Sequence, residues 1–147
     1  MLGLGRNNEA ESLIAQAKEA DKTNFRADLA NATLLLRRGD GQSALALTRS
    51  LVERAPDDTR AWNARASTLQ FAGRRQEAIA AFQRALDLRP GNVDARLSLA
   101  AILIELERND EATIEVTYLR ESFPGEPRAA FYDALLASNR GASPAAN

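Results

Sequence analysis

TRAWNARASTLQFAGRRQEAIAAFQRALDLRP, from Thr59 to Pro90, decides the fold. Gly73 divides it into two apolar-striped segments, and its punctuation recurs outside it at one step. Gly39 and Gly73 are 34 residues apart; Ala44, Ala78 and Ala112 keep that step, as do Pro56, Pro90 and Pro124. A period of 34 with Ala and Pro at fixed phase is the mark of a helix–turn–helix repeat array. Such a unit cannot bury its apolar face alone. It stacks on copies of itself, and the stack presents a concave binding surface. The pattern thus predicts a binding scaffold without saying what is bound.

The spacing predicts eight helices: Glu9 to Ala20, Phe25 to Arg37, Gln42 to Arg54, Asp58 to Ala72, Arg75 to Leu88, Val93 to Glu107, Asp110 to Ser122 and Pro127 to Asn139. Gly39 and Gly73 can take the left-handed conformation that ends a helix. The three prolines fall just past helix ends, where a missing N–H does no harm. Asp58, Asn92 and Asn109 or Asp110 are placed to cap the helices that follow. In the second helix of the quoted stretch, Ala78, Phe82 and Ala85 form one stripe. No run alternates with the period of a strand.

The quoted stretch resembles the tetratricopeptide repeat. Trp62 matches its Trp, Leu69 stands at its Tyr, and Glu77, Ala78, Phe82, Ala85 and Pro90 match its second helix and end. Arg65 and Ala66 replace its Leu-Gly. Ala66 keeps a small side chain there, and Arg65 is expected to snorkel, its stem on apolar surface and its head in water. The register extends through the chain: a partial repeat over 1–24, whole repeats over 25–58, 59–92 and 93–126, a partial repeat over 127–141, and a disordered tail over 142–147. The resemblance implies an all-α, right-handed α-solenoid of antiparallel helix pairs.

Composition narrows the functions. Of the 147 residues 45% are hydrophobic, enough for a core, and the net charge of −1 argues against nucleic acid. With neither histidine nor cysteine, the commonest general base and the thiolate metal sites are missing. No metal or cofactor is expected, and no apolar run approaches the ~20 residues that span a bilayer. The carboxylate pairs Asp57–Asp58 and Asp110–Glu111 fall at inter-helix turns, where acids cap and stay wet; Glu105 and Glu107 are the third pair. No catalysis is read into them. Arg37–Arg38 and Arg74–Arg75 flank the turn glycines, as solvated turns or an anion-binding edge. The compartment is left open: cytoplasmic, or periplasmic within a larger exported protein.

The resemblance implies that the first helix of each repeat lines the groove. Carried over by register, the groove comprises Leu29, Thr33, Leu36, Asn63, Ser67, Gln70, Leu97, Ala101, Ile104, Phe131 and Leu135. A subset of the family clamps a peptide carboxylate with cations and asparagines. Those positions hold Leu29, Thr33, Ala64, Asp94 and Ser98 here, so that clamp is not expected. The apolar spots suit a peptide or amphipathic helical segment, or else pack against neighbouring helices. Phe131, Tyr132, Leu135 and Leu136 wrap far around the last helix, and the first helix lacks a predecessor. The chain is therefore expected to belong to a longer array or to self-associate through these residues or through Leu2, Leu13 and Ile14. The favoured function is a non-catalytic protein–protein interaction scaffold. The alternatives are an assembly module without groove ligand, and a bacterial scaffold similar to repeat lipoproteins of exopolysaccharide export.

Overall fold

Helix punctuation organises the chain. A computed structural model describes residues 2–21 and 24–142. Within them run α1 (Leu2–Ala20), α2 (Phe25–Arg37), α3 (Gly41–Arg54), α4 (Thr59–Phe71), α5 (Arg75–Leu88), α6 (Val93–Glu105), α7 (Asn109–Ser122) and α8 (Pro127–Ala142), with no strand among the described residues. α2–α7 follow the expected boundaries within two residues. α1 starts earlier than expected and carries Gly5 inside the helix. α8 absorbs Gly141 and Ala142, and the rest of the expected tail lies outside the described residues.

The turns show why the 34-residue step works. Gly39 and Gly73 have φ of +77° and +75°, the left-handed region that glycine enters freely. One period later Glu107 stands in the same conformation at φ 58°. α6 was expected to reach Glu107 and ends at Glu105 for this reason. Asn24, Asp40, Asp58 and Asn92 each accept a hydrogen bond from a backbone N–H of the following helix, at 2.9–3.2 Å. Neither Asn109 nor Asp110 caps α7. Its N-cap is Arg108, which makes no side-chain cap and pairs instead with Glu111 at 2.7 Å. Trp62 Nε1 donates to the Pro56 carbonyl at 2.8 Å, and Arg96 Nε donates to the Pro90 carbonyl at 2.9 Å. Position and acceptor are both one period apart, so these two proline turns are each latched by the helix they introduce.

The chain forms two compact units, residues 1–88 and 89–147. In the first, α2 packs on α3 and α4, α3 on α4, and α4 most closely on α5; α1 packs on α2. In the second, α6 packs on α7 and α8, and α7 on α8. The repeated alanines Ala44, Ala78 and Ala112 are all 0% exposed, which lets paired helices approach closely. Phe82 is 2% exposed. Arg96 joins α6 to α7: its guanidinium lies 3.5 Å from the Tyr118 ring centroid and 2.5 Å from Glu115.

Arg65 departs from expectation. It is 9% exposed, and Nη1 donates to the Leu45 carbonyl at 2.8 Å and to Thr48 Oγ1 at 3.4 Å. The head is therefore buried against α3 rather than in water. Burial first, then repulsion from Arg49 and Arg74, lowers its pKa from the usual arginine value. A buried charge without a carboxylate partner adds little net stability. Arg65→Leu is expected to be at least as stable as the parent by urea melt, because Thr48 keeps its own bond to the Ala44 carbonyl at 2.8 Å. Arg65→Ala is expected to lose about 2–3 kcal/mol through the packing of the stem.

Candidate groove in the first unit

A recess of about 290 Å³ opens between α2 and α4. Every residue lining it comes from these two helices, the first helices of their repeats. Leu29, Thr33, Leu36, Asn63 and Ser67 of the expected groove meet here. Ala32 and Thr68 form a closed floor, at 2% and 0% exposure. Ala64 keeps the recess shallow beside Asn63. Gln70 is half-buried on α4.

Polar groups in the recess are mostly occupied. Thr33 Oγ1 donates to the Leu29 carbonyl at 3.3 Å, and Thr68 Oγ1 donates to the Ala64 carbonyl at 2.8 Å. Arg60 forms a fixed lip: it holds Asp58 at 3.0 and 2.6 Å, and its guanidinium lies 5.1 Å from the Phe25 ring centroid. The hydrogen bonds from Arg60 hold the Asp58 carboxyl below the ordinary range. Asn63 differs from its neighbours. Its Oδ1 is buried and accepts no hydrogen bond. An amide with unspent capacity, flanked by Leu29 and Leu36 and by the exposed Ser67, can read a peptide group while apolar side chains settle beside it.

The second unit treats the same register differently. Leu97, one period after Asn63, is 5% exposed and lies in a cluster with Leu119 and Ala129, covered by Val93, Phe123 and Tyr132. It belongs to the core and offers no surface to a ligand. Ala101, Ile104 and Leu135 are half-buried, whereas Phe131 is 64% exposed with its ring 5.6 Å from that of Tyr132. The expected end patch is likewise thinned: Leu136 is 0% exposed and Tyr132 half-buried. Leu2 lies outside the residues whose side chains are described.

The arginine edge is largely neutralised. Arg38 pairs with Glu11, and Arg74 pairs with Glu77 at 2.7 Å. No group of His, Cys, Asp and Glu fit to hold a metal occurs among the described residues. No described helix is long and apolar enough to cross a membrane.

A family model described as tetratricopeptide repeat matches residues 1–67 and 72–140. No curated protein matches the chain. Among solved structures, the chain is similar to MamA at 22% identity and a TM-score of 0.81, covering 95% of this chain and 81% of that one. It is similar to a tetratricopeptide repeat protein from Parabacteroides merdae at 21% identity and a TM-score of 0.81, over 95% of this chain and 56% of that one. It is also similar to YrrB, described as a TPR protein with an unusual peptide-binding site, at 20% identity and a TM-score of 0.75, over 90% and 69%. At these identities the likeness is one of fold: all-α, of the α-solenoid class built from helix pairs.

Proposed function

Since the chain belongs to the tetratricopeptide repeat family, we propose that it is a non-catalytic interaction scaffold whose α2–α4 recess takes a peptide or helical segment. The supporting observation is Asn63, whose buried Oδ1 has no partner in a recess otherwise walled by satisfied or apolar groups. The Asn63 amide would turn into the recess to meet a backbone N–H of the bound segment, and leucine-sized side chains would rest against Leu29 and Leu36. YrrB, similar in fold, is itself described as carrying a peptide-binding site. The preference is for apolar or amphipathic segments rather than acidic termini, because the one arginine at the rim is already held by Asp58.

The test begins with a binder selected from a displayed random-peptide library against the whole chain. Ser67 is exposed on the recess wall. Ser67→Arg fills the space without touching the core, and Asn63→Ala removes the amide. Each is expected to weaken the selected peptide at least about tenfold by calorimetry, about 1.4 kcal/mol, with helicity unchanged. A peptide bound equally by the parent and both variants places the site elsewhere and overturns the proposal.

A further inference from the structure

Arginines in this chain grip carboxylates through one edge. Arg60, Arg74, Arg108 and Arg128 each present Nε and Nη2 to one carboxyl group, that of Asp58, Glu77, Glu111 and Glu126 in turn, at 2.6–3.0 Å. Arg96 is 12% exposed and holds Glu115. Arg65 is more deeply enclosed than any of these, at 9% exposure, and has no carboxylate. Its Nη1 is spent on the Leu45 carbonyl and Thr48, two uncharged acceptors of α3. Its Nε and Nη2 make no hydrogen bond among the described residues. Neither is among the fully enclosed polar atoms that lack a partner, so the gripping edge meets solvent where α3 adjoins α4. Buried charges in proteins are ordinarily paired.

Two core phases turn polar together at this place. Thr48 stands at the phase of Phe82 and Val116, and Arg65 one period before Leu99, every one of them closed. The surrounding charges leave room for one anion. Arg49, exposed on α3 one turn after Leu45, has no partner among the described residues, and it is the first of the charges that act on Arg65. Two acids act on Arg65 as well, Glu77 and Glu53. Glu77 is already gripped by Arg74, and Glu53 makes no hydrogen bond to Arg65. Arg65 and Arg49 against Glu53 leave a single positive charge, the complement of a carboxylate rather than of a doubly charged phosphate ester. Asn63 and Arg65 lie two residues apart on α4, about 200° around the helix. Asn63 lines the α2–α4 recess and Arg65 does not.

We propose that the Nε–Nη2 edge of Arg65, with Arg49 beside it, seats one carboxylate, the aspartate or glutamate side chain of a protein partner that docks across α3 and α4. The acid supplies the charged, two-point pairing that Leu45 and Thr48 do not. This site is independent of the α2–α4 recess and its ligand.

Nitrogen-15 NMR of the whole chain tests it. The Arg65 Nε–H signal is identified by its loss in Arg65→Leu, and Arg65→Lys serves the same purpose. Sodium acetate replaces sodium chloride at constant ionic strength, with sodium phosphate in a second series. Acetate is expected to move the Arg65 signal and saturate it with a Kd of about 10–100 mM, the strength of one charge-assisted pair. The Arg60 and Arg74 signals should stay, because their edges are filled. Arg49→Gln is expected to weaken acetate about two- to fivefold, the loss of one exposed charge. A displayed random-peptide library, selected on the parent and counter-selected on Arg65→Leu, is then expected to yield peptides that need an Asp or Glu. Changing that residue to Asn or Gln should weaken them at least about tenfold. Three results overturn the proposal: an Arg65 signal indifferent to acetate, tighter binding of phosphate than of acetate, and a library that yields no acid-dependent peptide.

Discussion

Phe82→Ala is expected to cost about 3–5 kcal/mol, read as a loss of about 10 °C or more in melting temperature. Phe82 is 2% exposed and heads the fully buried side chains by volume. The other buried positions of the α4–α5 pair include Ala61, Ala66, Ala78, Ala81 and Ala85. Alanines hold the helices close and cannot swing into a void, so the space left by the ring stays empty and the cost falls at the upper end. One period away the same position holds Thr48 and Val116, both closed. Phe82→Val therefore asks whether a smaller residue is tolerated where the neighbouring helix has not settled around it. It is expected to lie between parent and alanine. A Phe82→Ala melt that overlays the parent would mean that Phe82 is not the keystone of this helix pair.

The fold was legible because the period constrains backbone and core together. Gly39 and Gly73 mark left-handed turns, Ala44, Ala78 and Ala112 mark close helix contacts, and each needs only a residue type at a phase. The period fails where chemistry at one phase changes. Glu107 takes the glycine conformation without being glycine, so the end of α6 was misplaced. Arg108 sits two periods after Asp40, which caps α3, so the capping pattern did not carry to α7. Part of the expected groove comes together for the same reason: α2 and α4 present like phases, and Leu29, Thr33, Leu36, Asn63 and Ser67 line one recess. Leu97 shares the phase of Asn63 but is apolar, and Phe123 and Tyr132 close over it. Phase places the position; side-chain polarity and local neighbours decide whether it faces a ligand.

Contacts distant in sequence were the least legible. Arg65 was assigned to water because its hydrogen-bond partners, Leu45 and Thr48, lie on α3. The unspent Asn63 amide has no sequence sign either, since only the packing of α2 and α4 shows that nothing reaches its Oδ1. Both residues occupy first helices, whose faces meet a preceding helix and the recess at once. That double exposure is what a repeat unit uses to couple stacking to binding.

Asp28→Asn is expected to cost about 2–3 kcal/mol at neutral pH and to loosen α1 selectively. Asp28 is 3% exposed on α2 and receives Lys18 of α1 at 2.7 Å and Arg54 of α3 at 2.5 Å. Burial raises its pKa, but the hydrogen bonds from Lys18 and then Arg54, with their charges, outweigh it, and the net shift is downward. Breaking a fully buried pair costs about 3–5 kcal/mol. The lower figure applies here because Lys18 and Arg54 are 38% and 35% exposed and can return to water. A lowered carboxyl pKa contributes stability that is complete above the unfolded value near pH 4 and is lost as pH falls through the folded value. The gap between parent and Asp28→Asn in urea melts should therefore be constant from about pH 5 upward and narrow below about pH 4, where the unfolded parent takes up a proton before the folded one does. A gap that ignores pH would assign the effect to packing. Because Ala10, Ile14 and Ala17 are only half-buried, α1 depends on Lys18–Asp28 and Glu11–Arg38 to stay on α2. Hydrogen exchange in Asp28→Asn should accordingly rise along α1 well before α4 and α5, and protection that falls evenly across all helices would deny the ion pair this local role.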